Sequence, residues 1–135
     1  MTTETRESVL KGIFNLLKIT FVILPIAAGA DKFLHLLTDW NQYMNPDLAA
    51  LLPFSVSTFM LIAGVIEIIA GIIVLVKPHV GGFIVAAWLT AIALTLIAGG
   101  MYLDIAVRDI VMAISAFSMA RLARVVEEKT ISNRQ

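Results

Sequence analysis

The 135-residue chain repeats one pattern four times: a long apolar run closed by a short polar break. The run from Pro53 to Val76 is interrupted by a single acid, Glu67. As a helix, at about 1.5 Å per residue, it is roughly 36 Å long, enough to cross a hydrocarbon core with some tilt. The same pattern elsewhere predicts spans over approximately 13–37, 82–103 and 105–123, beside 53–76. The expected fold class is all-α. It is a polytopic membrane protein, with four transmembrane helices in a bundle forming a single membrane domain over 1–135.

The breaks add detail. Between the first two spans, Trp40 and Tyr43 suit a membrane–water interface, and Pro46 can open a short interfacial helix. Pro25 removes a backbone hydrogen bond and predicts a kink in the first span. Pro78 with Gly81-Gly82 predicts a tight turn between spans two and three. Residues 1–8 read as a polar tail, and 121–129 as a helical continuation of the fourth span towards water.

Composition agrees with burial in lipid. The chain is 59% hydrophobic and 15% charged, with a mean hydropathy of +0.92. Soluble domains run near 45–50% and about 25%. A net charge of zero and no basic cluster argue against nucleic acid. There is no cysteine, which excludes thiol, iron–sulfur and disulfide chemistry. Four spans put both tails and the residue-77 turn on one side, with Arg6, Lys11, Lys18, Lys77, Arg121, Arg124, Lys129 and Arg134. The other half holds Lys32 and Arg108. The positive-inside rule then predicts both termini in the cytoplasm.

Charges inside the spans are the candidate chemistry, because a carboxylate in lipid needs a partner or a task. Counted from their cytoplasmic anchors, Asp31 and Arg108 lie about 20 Å up their helices and Glu67 about 15 Å up its own. Asp104 shares a helical face with Arg108, as His35 does with Asp31. Two readings stand. In one, Arg108 bridges Asp31 and Glu67 and fixes helix assembly. In the other, the charges line a polar pocket where Glu67 exchanges protons or meets the headgroup of a quinone or another small ligand. A third placement faces them towards a partner subunit. Asp31, Glu67, Asp104 and Asp109 outnumber Lys32 and Arg108. No metal site is expected, since Lys32 and Arg108 oppose a cation near Asp31, His35 and Glu67. Gly64 and Gly71 flank Glu67 on one face and allow a close helix approach, and Gly99-Gly100 reads as a close crossing or hinge.

Gly29-Ala-Asp31-Lys32-Phe-Leu ends the first span, Glu67 precedes Gly71 in the second, and Arg108-Asp109 opens the fourth. In this order the motifs resemble the DoxX-like family of small four-helix membrane proteins, over roughly residues 15–123. The resemblance implies a prokaryotic cytoplasmic membrane and carries over Lys32, Glu67, Arg108 and Asp109. It also implies an accessory subunit, non-catalytic on its own, assembling with a larger redox or quinone-linked complex. No covalently bound cofactor is expected; the ligand would be a quinone or lipid, and the partners lipid bilayer, other membrane subunits or further copies of the chain. Two alternatives remain open: a quinone/thiosulfate oxidoreductase component with a proton-active Glu67, and a small carrier or transporter.

Overall fold

The computed structural model describes residues 2–134, and for Asn133 the backbone alone. Five α-helices follow one another: α1 (Thr3–Leu34), α2 (Pro46–Leu51), α3 (Val56–Val76), α4 (Pro78–Gly99) and α5 (Leu103–Arg134), with a 3₁₀ turn at Trp40–Tyr43 before α2. The boundaries follow from local chemistry. Thr2, Asn45 and Ser55 cap α1, α2 and α3, each side-chain oxygen accepting a backbone N–H of the first turn. Pro46 and Pro78 occupy first-turn positions, where a missing N–H costs nothing. Gly100 ends α4 in the left-handed conformation, φ 66°.

Several expectations change here. Residues 3–8, expected as a polar tail, are the first turns of α1. Pro25 lies inside α1 without ending it and is buried. Gly81 and Gly82 are helical, in the first turns of α4, and the chain reverses at Lys77 instead. They are small for packing: a Cβ on Gly81 would collide with the Val74 backbone, and one on Gly82 with Ala120 and Met119. Gly99 and Gly100 are no helix crossing. A Cβ on Gly99 would meet only Asn45, at ordinary contact distance, and Gly100 has open space.

α1 packs along α3 and α4 along α5, and contacts of α3 with α4 and of α1 with α5 close the ring. α1 and α3 run antiparallel at close range. A Cβ on Gly29 would lie 2.5 Å from the Gly64 carbonyl oxygen, and one on Gly71 2.6 Å from Ile26. The main core joins Phe14, Phe21, Val74, Val85, Ala116 and Met119 near the α3–α4 turn. A smaller one, Ala93, Leu96 and Ala106, sits at the other end, covered by Tyr43 and Tyr102.

The outer surface is strongly apolar. Leu16, Ile23, Ile69, Leu75, Leu94, Val111 and Ile114 are all exposed. α1, α3 and α4 are long and apolar enough to cross a membrane. α5 differs, because every eighteen-residue stretch of it carries at least three Asp, Glu, Lys or Arg.

Candidate functional site

The inner faces of α1, α3, α4 and α5 leave a cavity of about 510 Å³ between the two cores. The segment between α1 and α3 roofs it with Trp40, Tyr43, Met44 and Asn45. Most of its wall is apolar: Leu24, Pro25, Met60, Ala70, Val85, Leu89 and Met112. Four charged side chains interrupt that wall, namely Lys32, Glu67, Arg108 and Asp109.

Lys32 and Glu67 form a buried ion pair, Nζ to Oε2 at 2.7 Å, with both side chains under a tenth exposed. The Gly29–Gly64 crossing positions it. The Gly29 position abuts the Glu67 Cβ, and the Gly64 position abuts the Lys32 Cβ. On each helix the charged residue follows its glycine by three, so it lies on the same face. Cβ bonds tilt towards the N-terminus of their own helix, so on antiparallel helices the two side chains lean towards each other. A pair of small residues thus decides where two charges meet.

Two tryptophans complete the pair. Trp88 Nε1–H donates to Glu67 Oε1 at 3.0 Å, so each carboxylate oxygen has a donor. The ring of Trp40 lies 3.9 Å from Lys32 Nζ, a cation–π contact. Trp40 is itself fixed by Asp31, whose carboxylate accepts from Trp40 Nε1 at 2.8 Å and from the backbone N–H groups of Leu36 and Leu37. Asp31 therefore closes the end of α1 and ties the roof down. At its other end the roof is held by Asn45, whose side-chain amide donates to the Thr95 carbonyl at 3.1 Å.

The expected charge cluster is thus rearranged. The cation that meets Glu67 is Lys32 and not Arg108, which among the described residues has no ion-pair partner within 4 Å. The reason is the glycine crossing, which brings α1 rather than α5 against the face of Glu67. Asp31 points to the roof and not to Glu67. His35 is exposed, in the left-handed conformation at φ 54°, one residue past α1 and so off the face of Asp31. Asp104 is exposed in the first turn of α5 and lies outside the cavity wall. Asp109, one turn further on, is buried within that wall.

Trp40, Trp88 and Asn45 were not among the residues expected at the site. Trp88 carried a signal, being ten residues into α4 and so too deep for an interfacial tryptophan. Trp40 and Asn45 carried none, since both also fit an ordinary interfacial loop.

Compared with known protein families, curated proteins and solved structures, the chain matches none of them. The cavity and its four charges must therefore carry the functional argument.

Proposed function

We propose that the chain is a DoxX-like membrane protein whose inter-helix cavity takes the head of a quinone-class amphiphile, as a component of a larger redox complex. The observation that carries the reading is the cavity itself. About 510 Å³ lies within the range of small-molecule sites, which are mostly apolar with a few convergent polar groups. The Lys32–Glu67 pair offers such groups between two indole rings. A lipid is the alternative occupant, with the same apolar requirement.

In this reading α5 is the fourth span. Its outward residues Val107, Val111, Ile114 and Phe117 are exposed and apolar, while Asp109 turns inward. The exposed Arg108 lies in the second turn, near the end of the helix, where its long side chain can reach the interface. That is the distribution a bilayer demands of a helix bearing charge. Both termini are then cytoplasmic, on the side richer in Lys and Arg. The chain is non-catalytic on its own: it holds the ligand, and the electron-transferring centre belongs to a partner subunit.

The test uses the only two tryptophans of the chain, Trp40 and Trp88, both in the cavity wall. Titration of the protein in nanodiscs with a decyl-substituted benzoquinone should quench their emission saturably. Quenching should halve in Trp40→Phe and in Trp88→Phe. Quenching that rises linearly with quinone, as it does for free tryptophan in the same lipid, refutes the reading.

A further inference from the structure

The four charges of the cavity wall are not equally partnered. Glu67 has a donor on each oxygen, and Lys32 has Glu67 and the Trp40 ring. Asp109 is 6% exposed, yet among the described residues it has neither an ion-pair partner within 4 Å nor a hydrogen bond. Among the described residues, the one fully buried side-chain polar atom without a hydrogen bond is Asn41 Oδ1. The Asp109 oxygens therefore keep accessible surface, while neighbouring side chains supply them no donor. Asp109 lines the same space as Lys32 and Glu67.

The charge balance restricts what can fill that space. Arg108 lines the wall but is exposed, so the buried charges are Lys32 against Glu67 and Asp109, one positive and two negative. An anionic ligand would add to that negative excess in a low-dielectric site and is disfavoured. Trp40, Tyr43 and Trp88 offer ring surfaces at the polar end, and Leu24, Val85 and Met112 an apolar remainder.

We infer that Asp109 is the hydrogen-bond acceptor for a hydroxyl on a non-anionic, ring-headed amphiphile held in this cavity. The inference rests on the cavity-ligand reading above and narrows it to hydroxylated, phenol-like heads, which for a quinone-class ligand means the reduced quinol form. An ionised carboxylate can only accept, so it selects for a donor and gains nothing from an ether or a carbonyl. A head that lacks the hydroxyl covers Asp109 without giving it a donor, and discrimination of this kind is large.

Native mass spectrometry of the full chain in mild detergent tests it, with 4-nonylphenol and 4-nonylanisole supplied together at equal concentration. The two probes differ by one methyl on the oxygen. The phenol adduct should exceed the anisole adduct by about tenfold or more, the usual return of a hydrogen bond to a charged group. In Asp109→Leu the ratio should fall to about one. In Asp109→Asn, which keeps one carbonyl acceptor, it should be intermediate. A ratio near one in the unaltered protein, an unchanged ratio in Asp109→Leu, or binding of neither probe overturns the inference. The ratio in the unaltered protein decides even if Asp109→Leu does not fold. If the phenol binds selectively while the benzoquinone fails to quench, the quinone reading falls and the role of Asp109 stands.

Discussion

Lys32 and Glu67 stand 35 residues apart in the chain and 2.7 Å apart in the bundle, joined across the α1–α3 crossing. Neither has enough water around it to be comfortable alone. Each therefore depends on the other more than on any single apolar contact nearby.

Removing one partner should leave the other as an unpaired buried charge. Lys32→Met or Glu67→Leu should each destabilise the bundle by about 3–5 kcal/mol, and the double variant by much less than the sum. Unfolding by sodium dodecyl sulfate in mixed micelles reads this directly. Additive losses would mean that the two charges are not energetically coupled.

The crossing itself should be intolerant of volume. Gly64→Ala places a Cβ 2.7 Å from the Gly29 carbonyl oxygen, a backbone atom that cannot rotate aside. A loss of about 1–3 kcal/mol is expected from such overpacking. Gly12→Ala meets nothing within 4 Å and should leave stability equal or up to about 1 kcal/mol higher. Equal tolerance at the two positions in the same assay would remove the close approach as an organising contact.

Asp31 should act as the latch of the roof. Asp31→Ala deletes the acceptor for Trp40 Nε1 and for the Leu36 and Leu37 N–H groups at one stroke. Amide hydrogen exchange across residues 36–44 should accelerate by tenfold or more, roughly the loss of a charged hydrogen bond, while α3 and α4 keep their protection. Exchange unchanged in 36–44 would show that packing alone holds the segment.

The cysteine-free chain suits single-cysteine topology mapping. In right-side-out vesicles, Asp39→Cys and Met101→Cys should react with a membrane-impermeant maleimide. Thr5→Cys, Lys77→Cys and Thr130→Cys should react only after permeabilisation. Labelling of Thr130→Cys from outside would leave three spans and put the C-terminus across the membrane from the N-terminus.

What the sequence determined by itself was the class of the molecule. The apolar runs imply helices long enough for a bilayer because hydropathy and length are one-dimensional quantities, and α1, α3 and α4 meet both. The short helix opened by Pro46 and the helical stretch beyond Arg121 were legible for the same reason: proline position and helical periodicity are local. The Gly64 and Gly71 face was legible too, since residues three and four apart share a face of any helix.

Partnership was decided by tertiary structure. Height along the membrane axis placed Asp31, Glu67 and Arg108 at similar levels, but height leaves rotation about each helix free. The Gly29–Gly64 contact sets that rotation. It turns Lys32 rather than Arg108 to Glu67, sends Asp31 to the roof, and leaves Asp109 lining the cavity without a partner. Trp88 reached Glu67 only because α4 lies beside α3, a neighbour relation that no local pattern encodes. Hydrophobic periodicity tells a helix which face to bury, whereas short-range hydrogen bonds depend on ångström-scale backbone approach, which exists only once two helices have packed.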